Sequence, residues 1–453
     1  MDRISHLPDF ILHHILSFLY GPSAELVRMS VLSKKWFHLT ASFPYLDFIL
    51  YKFRPGERAS FFKYVEYTTN RFSQQDDVTT HMLTLVTSIR EPAELDVINR
   101  CLELLLQKGV SVLIVDVANL LDVPRVNYRL PNVLLSVTEN QNLQRVWMEF
   151  NTPVEIIDIE APNLSLLILA DCYNRGAPRM NLASCKKLTS VSYLGHPLPN
   201  SNGFNDFLSY FPYIEYFILF TEYKCNNFKL SSHSLRALAL QSNCDLEKIE
   251  FSTPNLVLFV YSCNPRLTRP LEGKPWPPVW DLSRMKVCMH CHPDSCIDAL
   301  WFKKLRLFLD KKNGFKVLNL YIRVICSQEL TELDKLKAIE LPPYELEHVE
   351  LQLDTHEESS AHVAFVDVVL WCCRPRSLTL RSSFLSTDFE EQSDVVKFTY
   401  KKLLEQDDHT SIQIVGPSSS EAQKQLRDMK SLSMALPLIQ EEALGQSFAD
   451  MGC

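Results

Sequence analysis

The sequence predicts an α/β protein: a small three-helix unit at the N-terminus, then a solenoid of short parallel strands with an irregular or short-strand convex side. Two observations carry this. Residues 7–39, "LPDFILHHILSFLYGPSAELVRMSVLSKKWFHL", hold apolar side chains at helical spacing, broken by Gly21-Pro22. Beyond residue 110 one six-residue template returns ten times: an apolar residue, two free positions, an apolar residue, one free position, an apolar residue.

The first helix is predicted from Asp9, with Ile11, Leu12, Ile15, Leu16, Phe18 and Leu19 making one apolar face. Ser23 caps a second short element carrying Leu26, Val27 and Met29 with Val31 and Leu32, and Ser33 caps a third carrying Trp36, Phe37 and Leu39. A unit of this size cannot bury its own apolar surface, so part of that surface is expected to be covered by another chain. From Tyr51 to Lys108 the pattern reads as helical: Phe61, Val65 and Phe72 mark one helix, and Leu95, Ile98, Cys101, Leu102 and Leu105 another that ends at Gly109.

The repeat template begins at Val112, Leu143, Leu164, Leu188, Ile214, Leu235, Leu256, Leu282, Phe315 and Leu346, at intervals of about 21 to 33 residues. Its alternating apolar positions fit a strand with one face buried, and stacked neighbours supply the cover that one unit lacks. Asn151, Cys172, Asn243 and Asn264 follow four of the copies at the position of a turn-filling residue. "VEIIDIEAPNL" and "LEKIEFSTPNL" add a short alternation upstream of two strands, ended by Pro162 and Pro254, which places a second strand on the convex side. After Arg376, "SLTLRSS" reads as a last strand. The segment from Phe398 reads as helix, strand, serine-rich turn and helix, a cap for the solenoid's end.

The Leu-Pro opening of the first helix and the "SVLSKKW" ending resemble the plant-type F-box. The template with Asn or Cys after it, and the "APNL" and "TPNL" phrases, resemble plant F-box/leucine-rich-repeat proteins with an FBD-like C-terminal region. The resemblance implies an F-box at 1–50, a helical connector at 51–110, a leucine-rich-repeat solenoid at 111–385, and a C-terminal cap region and tail at 386–453. It implies a substrate-recognition subunit of a Skp-cullin-F-box ubiquitin ligase, with a Skp-type adaptor bound through Leu7, Pro8, Ile11, Leu12, Ile15, Leu16, Val31, Leu32, Ser33, Lys34, Lys35 and Trp36. Through that adaptor it reaches a cullin, and the repeats bind a target protein. An alternative is an F-box scaffold that acts without ubiquitin transfer.

Composition narrows the chemistry. In 453 residues there are 11 glycines and no phosphate-cradling glycine motif, a net charge of −8 with no basic block for nucleic acid, and no apolar run long enough for a membrane. The acidic N-terminus lacks secretory-signal features, so the 13 cysteines are expected to be reduced thiols in the cytoplasm and/or nucleus. "CMHCHPDSC" groups Cys288, His290, Cys291, His292 and Cys296, but it is half a zinc site at most, and Cys288 and His290 also fit alternation along a strand. His13, His14 and the acid-hydroxyl loop at 356–360 lack a positioned nucleophile, so no cofactor, no metal and no catalytic residue are expected. "RPLEGKPWPPVW" at 269–280 is an inter-repeat insertion whose two tryptophans fit either a recognition anchor or, the favoured reading, a loop folded on the solenoid flank.

Overall fold

A computed structural model describes residues 4, 7–18, 28–75, 78–119, 142–150, 156–171, 178–195, 204–221, 228–242, 246–262, 286–291, 299–311, 314–322, 342–353, 359–382, 398–399, 401–402 and 411–415. The chain divides into two compact units, Met1–Phe217 and Ile218–Cys453.

The first unit opens with α1 (Asp9–Phe18) and α2 (Lys34–Ala41), with a helical turn at 28–30 between them. Two helices and that turn stand where the sequence reading placed three helices; residues 19–27 lie outside the described residues. Ser33 caps α2 by accepting from the Trp36 amide at 3.3 Å. Leu12, Leu16, Trp36, Leu39 and Phe43 form a small core of their own, with Leu7, Met29 and Tyr45 packed against it.

Strands β1 (Tyr45–Ile49), β2 (Met82–Ile89), β3 (Val112–Asn119), β4 (Arg145–Phe150), β6 (Leu166–Asp171) and β8 (Ser190–Leu194) pair in that order, every pair parallel. Register stacks equivalent side chains into columns. Leu46, Leu83, Leu113, Val146, Leu167 and Val191 lie side by side, as do Phe48, Leu85, Val115, Met148, Leu169 and Tyr193, and all are buried. Each such residue is worth about 1.5–3 kcal/mol in removed apolar surface. The columns are therefore what holds one strand to the next, and a strand without a neighbour would lose that term.

Between the strands run α3 (Arg58–Ser73) and α4 (Pro92–Leu106), whose buried faces are Phe61, Phe62, Val65, Thr69 and Phe72 on one and Ile98, Cys101, Leu102, Leu105 and Leu106 on the other. Gly109, with φ +79, turns the chain from α4 toward β3, a conformation that other residues adopt only with strain. A separate two-stranded parallel sheet pairs β5 (Ile156–Asp158) with β7 (Arg179–Asn181). It is the additional strand that "VEIIDIEAPNL" predicts, and Pro162 stands in the turn just after it. The short helix α5 (Phe204–Ser209) leads to β9 (Tyr216–Thr221), which spans the boundary between the units.

In the second unit β11 (Ala237–Ser242), β13 (Leu258–Ser262), β14 (Lys286–Cys291), β15 (Val317–Ile322), β16 (Tyr344–Leu353), β17 (Cys373–Ser382) and β18 (Ser411–Val415) form a second run of parallel pairs. One column here is Leu238, Phe259, Val287, Leu318, Val349 and Leu378, all buried. The short strands β10 (Phe228–Ser231) and β12 (Ile249–Ser252) repeat the two-stranded arrangement ahead of "TPNL". The helices α6 (Ala299–Lys311) and α7 (Ser359–Cys372) connect β14 to β15 and β16 to β17.

Four readings from the sequence are corrected. The segment 51–110 is not wholly helical: β2 lies within it, and β1 lies within 1–50, so the ladder starts ahead of residue 111. At β3 and β14 the template runs two residues off: β3 pairs Leu113 with Val146, and β14 pairs Val287 with Phe259, so the buried alternations are Val110, Leu113, Val115 and Val287, Met289. The connecting segments are not only irregular or short-stranded, because α6 and α7 fill two of them, with Phe302, Leu305, Phe308 and Leu309 turned inward from α6. The ladder also does not stop at 385, since β18 adds a parallel strand next to β17. Asn151, Cys172, Asn243 and Asn264, the 269–280 insertion and residues 416–453 lie outside the described residues.

Candidate partner-binding surface

Apolar side chains at the N-terminus divide into two sets. On α1, Leu12 and Leu16 point into the small core, while Phe10 is 71% exposed and Ile15 38%. In the turn before α2, Val31 is 80% and Leu32 67% exposed, the two most open aliphatic side chains among the described residues. A soluble surface rarely gathers such residues without a covering partner.

Ser33 and Trp36 explain why the turn holds this shape. The Ser33 cap starts α2, and Trp36, 7% exposed, anchors that start to α1 through the shared core. Lys35 reaches back across the pair, donating to the Leu7 carbonyl at 3.1 Å with Asp9 at 3.5 Å. His13 fixes the other end, its Nε2 donating to the Leu39 carbonyl at 3.1 Å.

The twelve residues assigned from resemblance are thus distributed by role. Leu12, Leu16 and Trp36 are interior and shape the surface without lying on it. Ser33 and Lys35 hold the turn, Leu7 and Ile11 are half-buried, and Pro8, Ile15, Val31, Leu32 and Lys34 are open. Phe10 and Phe37, 42% exposed, belong to the open set but were not singled out from the sequence. The signal for Phe10 was present: it falls on the side of α1 opposite Leu12 and Leu16, where a monomer would place a polar residue.

The pair is tied to the first ladder strands. Arg71 of α3 lies over the Phe37 ring at 4.1 Å and donates to the Phe37 carbonyl at 2.8 Å, and Gln75 donates to the Ala41 carbonyl at 3.4 Å. Lys108 at the end of α4 donates to the Gln75 carbonyl at 2.7 Å. Tyr45 meets the Phe43 ring at a tilt, 5.3 Å away, and the His81 ring edge-on at 5.5 Å, and His81 Nδ1 meets the Ser111 hydroxyl at 2.7 Å.

Arg58 and Glu94 lock α3 to α4. The guanidinium meets both carboxylate oxygens at 2.6 Å, and it also donates to the Ser88 hydroxyl at 3.1 Å and to the Ser88 carbonyl. Burial alone would raise the Glu94 carboxyl, but Arg58 and the amides of Arg90 and Glu91 outweigh it and hold the group below its ordinary value.

The sheet face opposite the columns is the other candidate surface. In the first unit it sets Asp116 directly opposite Glu149, beside half-buried Trp147. In the second it carries Cys288, Asn319, Glu350 and Thr379 on successive strands, with Asn319 donating to Glu350 at 2.7 Å. Among the described residues no three potential metal ligands come together. Cys288 and His290 take alternate positions on β14, while His292 and Cys296 lie outside the described residues. Burial pushes the thiols of Cys101 and Cys373 up to about 12, the opposite of what a reactive cysteine needs.

No family model matches the chain. F-box/LRR-repeat protein 25 of Arabidopsis thaliana is 58% identical over 48 residues, 10% of this chain and 18% of that protein. An F-box protein of the same plant is 28% identical over 272 residues, 58% of this chain and 51% of the relative. An F-box/LRR-repeat protein of the same plant is 28% identical over 279 residues, 58% of this chain and 73% of the relative. The chain spans only about half the length of the second of these and less than a fifth of the first. Further F-box/LRR-repeat proteins of that plant are similar over about a quarter of this chain, at 34% and 33% identity.

Proposed function

Starting from homology to F-box/LRR-repeat proteins, we propose that this chain is the substrate-recognition subunit of a Skp-cullin-F-box ubiquitin ligase. Its N-terminal helices bind a Skp-type adaptor and, through it, a cullin; its ladder binds a target protein. The observation that carries the reading is the concentration of open apolar side chains, Phe10, Ile15, Val31 and Leu32, on a helical pair whose own core is already filled by Leu12, Leu16 and Trp36. Such a surface is stable in solution when a partner covers it.

The work of such a subunit is proximity. One surface holds the adaptor and the other the target, so target lysines experience a raised effective concentration of the charged conjugating enzyme. In this reading the chain supplies no catalytic group, and it works in the cytoplasm or nucleus.

Co-purification with a Skp-type adaptor tests the proposal. The wild-type chain retains the adaptor, and Val31→Asp with Leu32→Asp, or Leu7→Ala with Pro8→Ala, releases it while the fold persists by circular dichroism. A wild-type chain that retains no adaptor, or variants that retain it fully, would remove the basis for the assignment.

A further inference from the structure

Arg58 and Glu94 pin α3 to α4 near their N-terminal ends; further along, an open groove of about 130 Å³ lies between the two helices. Glu66, Thr69 and Asn70 line it from α3, at the spacing that shares one helix face, and Asp96, Arg100 and Cys101 line it from α4. Its rim is charged and its floor is not. Glu66, Asp96 and Arg100 are exposed, and among the described residues none of the three enters an ion pair, although Arg100 stands one turn from Asp96. Thr69 and Cys101 are 2% and 1% exposed. The thiol, which burial pushes up to about 12, stays protonated and neutral. The Thr69 hydroxyl has that thiol beside it, a weak partner, and no hydrogen-bonded nitrogen or oxygen. A buried hydroxyl left in this state costs free energy, which a polar ligand group reaching the floor would recover.

We propose that this groove binds a small free α-amino acid, with the ligand's ammonium donating to Glu66 and Asp96 and its carboxylate accepting from Arg100. The charges select this class. Two carboxylates on the rim repel a simple anion, and a diamine would satisfy them but set its second charge against the guanidinium. A zwitterion meets both signs with charge-assisted hydrogen bonds. Size sets the side chain: a space of this volume holds about six non-hydrogen atoms, so glycine, alanine and serine fit, and the serine hydroxyl would supply the partner that Thr69 lacks. The site lies apart from the two candidate partner surfaces and does not depend on the function proposed above.

Calorimetry of the full chain with glycine, L-alanine and L-serine tests the proposal, beside ethanolamine, which lacks the carboxylate, and lactate, which lacks the ammonium. At least one of the three amino acids binds saturably at a single site and raises the melting temperature, while ethanolamine and lactate bind about tenfold more weakly or not at all. Arg100→Gln, and Glu66→Gln with Asp96→Asn, weaken that amino acid about tenfold, and because these positions are exposed the unliganded variants melt as the wild type does. Lys63→Gln, exposed on α3 but outside the groove, leaves the affinity unchanged. The inference is overturned if none of the three amino acids binds the wild type saturably, if ethanolamine or lactate binds as tightly as they do, or if the groove variants bind them as the wild type does.

Discussion

The N-terminal helices and the parallel ladder use similar side chains to opposite ends. In the ladder a leucine at the second template position meets its counterparts on both sides, and Leu83, Leu113 and Leu167 are fully buried. In the turn before α2, Leu32 meets no such neighbour and is 67% exposed. The same residue type is spent on folding where a repeat supplies its neighbour, and on recognition where the repeat has not begun.

The comparison is most easily broken in the ladder. Phe259 is fully buried and packs against Phe251 at 4.8 Å and Phe308 at 5.5 Å, so it joins a column to a backing strand and to α6. Phe259→Ala is expected to cost about 3–5 kcal/mol in denaturant unfolding.

Next in size is the Arg58–Glu94 lock. Glu94→Gln keeps the shape but removes the charge, with an expected loss of about 1–3 kcal/mol at neutral pH. The folded carboxyl titrates below its ordinary value of 4.5, so its contribution is present above that value and is lost as the pH falls through the folded one. The acid limb of the wild-type stability profile is therefore steeper than that of Glu94→Gln, and equal limbs would contradict the assignment of the lock. On the helical pair itself, Ser33→Ala removes the α2 cap and is expected to cost about 1 kcal/mol, read as a lower melting temperature. The smallest effect sharpens the contrast most: Val31→Ser with Leu32→Ser should leave stability within about 0.5 kcal/mol. A large loss there would mean that these side chains fold the protein after all.

Strands β4, β6, β8 and β11 were legible because each template begins with an apolar residue flanked by polar ones, which admits one register. At β3 the run "VSVLIVDV" has apolar residues on both alternations, and only pairing with β4 selects Val110, Leu113 and Val115 over the set beginning at Val112. β2 escaped notice because Thr80, fully buried, stands where the template expects an aliphatic residue. In α7 the sequence "SSAHVAFVDVVLWC" has too few polar residues to mark a helical face. At the candidate surface, resemblance drew together residues that do different work. Trp36 and Leu32 belong to one motif, yet one is interior and the other open, and only packing against α1 separates them.

The clamp between α2 and α3 bears on how such chains can be recombined. A crossover at residue 50 would carry Phe37 and Ala41 into a new protein while leaving Arg71 and Gln75 behind. The transplanted helices would arrive with an uncovered ring and without the Arg71 and Gln75 donors that meet the Phe37 and Ala41 carbonyls. A transferable cassette therefore runs through α4, where Lys108 secures Gln75, and a chimera cut there should inherit the orientation of its N-terminal helices along with their surface.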